Sequence, residues 1–134
     1  MQRKAAEWHM PFDPSIPVDP GDIFWVTLPA PRGSEQAGRR PCIVMSRRTT
    51  NTGNTVVVVP MSTNVARAAA WRVALPVNEI IKDMGCTTEI KPSVALCHQL
   101  RVVDKRAFEG RIGKLSINAV LAVQLGISYL FDIR

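Results

Sequence analysis

Four groups of side chains in this sequence have types and spacing suited to chemistry on an anion. Arg39 and Arg40 stand together in the segment Pro31-Arg32-Gly33-Ser34-Glu35-Gln36-Ala37-Gly38-Arg39-Arg40-Pro41. Arginine stays protonated at any working pH and presents a planar fork matched to phosphate oxygens. The pair can bind a phosphate and stabilise charge developing on it, but it is a poor base. The bland alternative is two solvated arginines. Ser62 and Thr63 follow an all-valine run, and a hydroxyl there can hydrogen-bond a phosphate or simply cap a turn. Glu35 is the one acid among the five arginines of residues 32–48. It can pair with those arginines within the loop or contact a base edge. His98, followed by Gln99, can take or give a proton near neutral pH. A lone histidine is more often structural.

These groups must be held by the elements around them. Pro20-Gly21-Asp22 signals a turn, and Ile23–Leu28 reads as a strand rich in aromatic and β-branched residues. The segment 31–41 then reads as a glycine- and arginine-rich loop, with Pro41 at its exit. Cys42–Ser46 reads as a buried strand, and Asn51-Thr52-Gly53-Asn54 as a turn. Thr55–Val59 is the strongest strand signal in the chain, with Pro60 to Asn64 ending it. Trp71–Leu75 alternates like a half-buried strand, 77–85 suggests a short turn of helix, and Thr87–Ile90 and Ser93–Val103 read as two further strands. In the second of these, Val94, Leu96 and His98 share one face by strict alternation. Asp104–Phe108 suggests a short helix, and Arg111–Leu115 a short extended piece. Ser116 is a good N-cap for a helix over Ile117–Phe131, whose apolar residues cover most of its circumference. Such a helix either packs on two sides, against the sheet and a second subunit, or is a well-covered terminal helix. Many short strands and one long terminal helix predict a mainly β (α+β) fold, a small β-barrel with an appended helix.

Met1–Asp19 carries Pro11, Pro14 and Pro17 without periodicity and reads as a flexible extension that Trp8 and Phe12 could dock; residues 20–134 form one domain. The net charge of +6 and pI of about 9.8 are unevenly spread. Residues 1–31 carry −2, 32–48 carry +4 and 101–114 carry +3. Two basic blocks that fold together would make a patch for nucleic acid or another polyanion; the alternative is a surface serving solubility. The three cysteines lack metal-ligand or disulfide spacing and read as buried apolar residues or inert thiols. No apolar run is long enough to span a membrane, and no export signal precedes the domain, so a cytoplasmic protein with no metal and no cofactor is expected.

Gly21-Asp22-Ile23-Phe24-Trp25-Val26, the run Arg32 to Pro41, Val58 to Thr63 and Ser93 to Lys105 together resemble the MazF/PemK toxin family of bacterial type II toxin–antitoxin systems. Arg111 to Ser116 and the terminal helix also fit, so the resemblance covers about residues 20–131. The string Gly-Ser-Glu-Gln-Ala-Gly-x-Arg-Pro is its most specific part. The resemblance implies an SH3-like barrel, related to the CcdB fold, that forms a homodimer. It implies a metal-independent endoribonuclease that cuts single-stranded RNA, mRNA foremost, at short sequences. The ribose 2′-hydroxyl attacks the adjacent phosphorus, leaving a cyclic phosphate and a 5′-hydroxyl. It also implies a cognate antitoxin, an acidic segment of which occupies the RNA groove.

By position, Arg40 matches the family's catalytic arginine before proline, and Ser62 falls where the family usually has a catalytic threonine. Arg32, Glu35, Gln36, Arg39, Thr63 and Gln99 fall at positions implied in RNA contact. His98 departs from the pattern: the family commonly has an acid before that glutamine, and in the PemK/Kid branch it is the general base. Leu96 likewise replaces an arginine of that branch, though the MazF branch usually has leucine there. Two outcomes stand open: His98 serves as the base, or Arg40 and Ser62 carry the site while His98 shapes RNA preference. With Arg40 in a loop, Arg40→Ala is expected to remove activity and leave the fold intact. A reading of another class is a non-catalytic toxin or RNA-binding module on the same barrel, as in the gyrase-poisoning CcdB proteins.

Overall fold

The computed structural model describes residues 12–29 and 32–133; Trp8 and Pro31 lie outside them. Gly21 adopts φ +97°, a left-handed turn that only glycine enters freely, and its N–H donates to the Val44 carbonyl at 2.7 Å. The turn launches β1 (Asp22–Leu28), followed by β2 (Gly38–Val44), β3 (Thr55–Ser62), β4 (Arg72–Leu75) and β5 (Ile80–Lys82). After these come β6 (Ser93–Leu96), β7 (Arg101–Asp104), β8 (Phe108–Leu115) and the helix α1 (Ile117–Leu130). The strands pair in the order β4-β6-β3-β2-β1-β8-β5, with β7 also on β3, and every pairing is antiparallel. The sheet curls into a half-barrel with one C-terminal helix, as the sequence predicts.

Both faces of the central strands are buried, which is why their sequences are nearly continuous apolar runs. One face fills the barrel with Phe24, Val26, Leu28, Cys42, Val44, Val56, Val58, Val103 and Phe108. The other packs Ile23, Ile43, Val59 and Met61 against Ile80, Ala95, Ile112, Leu115 and the helix residues Ala119 and Val123. Each fully buried valine or isoleucine contributes about 1.5–3 kcal/mol over leaving it in water. The extension expected through Asp19 packs from Phe12 onward: the Phe12 ring lies 5.3 Å from Phe24 and 5.1 Å from Phe108, and Val18 is buried.

Several boundaries differ from the sequence reading, each for a physical reason. β2 begins at Gly38, so Arg39, Arg40 and Pro41 are strand residues paired with β1, not loop residues. β3 runs past Pro60 to Ser62, because its last two residues change partner and pair with β6. Thr87–Ile90 forms no strand; it is held by side chains over a cavity instead. Residues 77–85 hold a 3-10 turn (Val77–Glu79) and then β5. The strand expected over Ser93–Val103 is split by a 3-10 turn at Cys97–Gln99. Registers show why. Met61 pairs with Ala95 but Val58 pairs with Arg101, so three extra residues bulge from this edge of β3. The break falls at Pro60, which has no N–H to donate to a ladder. His98 therefore sits on a turn and does not share a strand face with Val94 and Leu96.

The later elements follow the sequence reading. Asp104 caps a 3-10 turn at Lys105–Ala107, accepting from the Arg106 N–H at 2.8 Å. Ser116 caps α1, its Oγ accepting from Ala119 N–H at 3.1 Å and donating to Glu79. The helix buries Ala119, Val123 and Gly126 and leaves Ile117, Leu121, Leu125 and Tyr129 exposed, so its second apolar side is uncovered. Among the described residues no helix is long and apolar enough to cross a membrane.

Candidate active site

Adjacent strand residues point to opposite faces, and this separates the two arginines. Arg39 lies on the face of Trp25, its guanidinium carbon 4.0 Å from the ring centroid. Its Nε donates to Glu109 at 2.7 Å, and Glu109 also accepts from Thr27. The Arg39 guanidinium is thus held by a ring and a carboxylate. Arg40 turns to the face of Val26 and Cys42 and is half-buried. Its Nε donates to the Ala37 carbonyl at 3.1 Å, and its two Nη nitrogens have no hydrogen-bond partner among the described residues.

Ser62 ends β3, and its Oγ accepts from Asn64 N–H at 3.1 Å, so the hydroxyl proton stays available. Cys42 pairs with Pro60. That is the last residue pair of β2 and β3, and Arg40 and Ser62 each lie two residues beyond it. Both line a cavity of about 480 Å³. Its floor is apolar, from Ile23, Met61, Ile80 and Ile112. Arg39, Thr63, Trp25, Thr88, Glu89 and Lys91 stand around it.

The other predicted residues lie around the loop that precedes β2. Glu35 shapes the loop rather than reaching out of it: its carboxylate accepts from Arg32 N–H at 3.2 Å, and its own N–H donates to the Arg32 carbonyl. Arg32 is exposed beside it. Gln99 spends both ends of its amide on the same loop, accepting from Gln36 N–H at 3.3 Å and donating to the Ser34 carbonyl at 3.4 Å. Arg101, which sequence reasoning did not single out, donates to the Gln36 carbonyl at 3.0 Å. Paired with Val58, it lies on the Arg40 face, and the positive charges of both arginines act on the Cys42 thiol. Its signal was there in the second basic block, residues 101–114.

His98 is not brought to this cavity. It is exposed on the Cys97–Gln99 turn, its ring edge-to-face with Trp71 at 6.4 Å, while Trp71 stacks on Tyr129 at 6.0 Å. Partial burial, and then the charge of Arg72, hold its pKa below the ordinary 6.5. The cysteines are free thiols. Burial pushes Cys42 up to about 12 and Cys97 to about 11, so both are inert, as expected. Arg40 and Ser62 bring a guanidinium and a hydroxyl to the lining of one cavity, donors of the kind that bind a phosphate.

The sequence model of one protein family, described as PemK-like, MazF-like toxin of type II toxin–antitoxin system, matches residues 19–131. The endoribonuclease MazF of Staphylococcus saprophyticus is 27% identical over 113 residues, covering 80% of this chain and 90% of that protein. The crystal structure of MazF from Deinococcus radiodurans aligns with a TM-score of 0.70 at 22% identity, covering 87% of this chain and 98% of the other. A Deinococcus radiodurans MazE–MazF crystal structure gives 0.67 at 19% identity, covering 89% and 100%. Mycobacterium tuberculosis toxin MazF-mt6 gives 0.65 at 21% identity, covering 84% and 98%. At these identities the solved structures speak for the fold.

Proposed function

The chain belongs to the PemK-like, MazF-like toxin family of type II toxin–antitoxin systems, and from that premise we propose how it acts: as an endoribonuclease on single-stranded RNA, mRNA foremost. The observation that carries this reading is that Arg40 and Ser62 line one cavity within the matched region. The ribose 2′-hydroxyl attacks the adjacent phosphorus and releases its proton to solvent. The bond from phosphorus to the 5′-oxygen breaks and the leaving oxygen takes up a proton from solvent, giving a cyclic phosphate and a 5′-hydroxyl. Arg40 directs its unpartnered Nη groups at the phosphate, stabilises the extra charge and donates a hydrogen bond to the leaving 5′-oxygen. Ser62 donates its hydroxyl to a non-bridging oxygen, and Thr63 stands beside it. Arg101, on the Arg40 face, adds positive charge for the RNA backbone. The chemistry needs no metal and no cofactor. His98, away from the cavity, acts on RNA preference rather than as the base.

The partners follow from the same premise. A mycobacterial endoribonuclease of this fold is solved in complex with its cognate antitoxin, and a cognate antitoxin with an acidic segment would compete for the cationic rim here. The exposed stripe Ile117, Leu121, Leu125 and Tyr129 on α1 fits a homodimer contact. Growth inhibition through mRNA cleavage places the action in the cytoplasm. The test is incubation of purified protein with a long RNA in EDTA, followed by mapping of the new ends. Sequence-specific cuts with 5′-hydroxyl ends are expected; 5′-phosphate ends, or no cuts across varied RNAs, overturn the reading.

A further inference from the structure

We propose that the cavity beside Arg40 and Ser62 is a nucleobase pocket, and that Thr88 selects the base that enters it. The proposal rests on the nuclease reading above and concerns which nucleotide the site prefers. The Trp25 Nε1–H donates to the Thr88 hydroxyl at 3.3 Å, and Lys82 Nζ donates to the Thr88 carbonyl at 3.2 Å. The residue is thus held by its side chain and its main chain, on a segment with no strand of its own. A hydroxyl that accepts from an indole still has its own proton to give. Among the described residues that proton goes to no partner.

The surroundings fit a flat group with apolar faces and a polar edge. Ile23, Met61, Ile80 and Ile112 make the floor, a surface that would reject a phosphate. Phosphate-binding groups stand at the rim instead, in Arg40, Ser62 and Lys91. Trp25 also lines the cavity, with the Arg39 guanidinium laid on its ring. Unstacked RNA bases settle against such aromatic and guanidinium planes. A nucleotide whose phosphate meets this rim would have its base inside, with a keto oxygen or ring nitrogen facing Thr88. Trp25 is the positioning residue, because its indole N–H leaves the Thr88 proton as the free one.

The test sequences 5′-hydroxyl ends from a randomised RNA pool cut by the wild type, Thr88→Val and Thr88→Ser. Thr88→Val is expected to weaken the preference at one nucleotide beside the cut about tenfold, the worth of one hydrogen bond, and leave the other positions as they were. Thr88→Ser keeps the hydroxyl and should keep the preference. A second measurement titrates a mixed-sequence 2′-O-methyl oligonucleotide, which cannot be cut, while following tryptophan fluorescence. Quenching in the wild type that disappears in Trp25→Phe is expected. Cleavage with an unchanged preference in Thr88→Val overturns the pocket and spares the nuclease. Quenching that needs Trp25, in a protein that never cuts RNA, overturns the nuclease and keeps the pocket. Absence of both effects overturns the pocket as an RNA site and leaves the cavity to a side chain of the antitoxin.

Discussion

Arg40 on β2 and Ser62 on β3 each lie two residues beyond Cys42–Pro60, the last residue pair of those strands, and both line the same cavity. The guanidinium brings unpartnered donors and the hydroxyl brings one more. Those donors give the first two predictions.

Arg40→Ala should lower the rate of 5′-hydroxyl end formation by about 10²–10³-fold, as when a preorganised donor to developing charge is removed. Arg40→Lys should recover only part, because it keeps the charge and loses the fork. Arg40 is a strand residue bonded to Ala37, so the alanine variant should also lose about 1 kcal/mol of stability in a urea titration. A loop residue would have cost nothing.

Ser62→Ala should cost about ten- to a hundredfold in cleavage rate, the range for a hydrogen bond to a charged group. Ser62→Thr should retain most of the rate. If Thr63→Ala proves the damaging change and Ser62→Ala does not, the neighbouring hydroxyl is the one that meets the phosphate.

His98 is set outside the cavity, so His98→Ala should keep cleavage within about tenfold of the wild type, the effect of one hydrogen bond. Its folded pKa lies below 6.5, from burial first and Arg72 second. The fold thus favours the neutral ring. That stabilisation is complete above pH 6.5 and shrinks as pH falls below it and the unfolded chain takes up the proton. Thermal melts from pH 7.5 to 5 should show this loss in the wild type and less of it in His98→Gln. An acid limb in the cleavage rate that vanishes with His98 would instead restore the histidine as the base.

Leu121 and Leu125 sit on the uncovered side of α1, 52% and 71% exposed. Replacing both with glutamate should leave the circular dichroism of the protomer unchanged and convert a dimer to a monomer by light scattering. A wild type that is already monomeric would remove the helix stripe as a contact.

Gly113 pairs with Ile23 on one side and Lys82 on the other. A Cβ there would lie 2.1 Å from the Ile81 carbonyl oxygen and 2.9 Å from the Lys82 Cα, both backbone atoms that cannot swing aside. Gly113→Ala should therefore destabilise by about 1–3 kcal/mol, read as a lower urea midpoint. It should also loosen β5, whose end leads into the segment bearing Thr88.

The sequence by itself determined most strands of the half-barrel, the capped terminal helix and the family. Alternation and turn chemistry are local, and the glycine–arginine string is specific enough to name a family. Ser116 as a cap and Thr55–Val59 as a strand needed only their neighbours. What the tertiary structure decided is which of these residues meet. Pro60 cannot donate to a ladder, so β3 changes partner there, and three extra residues bulge opposite it. That break carries Ser62 to β6, and it turns His98 toward Trp71. It also lets Gln99 and Arg101 tie down the loop before β2. No local pattern encodes a register shift between strands more than thirty residues apart. The same holds for the Thr88 segment, which has no strand periodicity and is held in place by an indole 63 positions away.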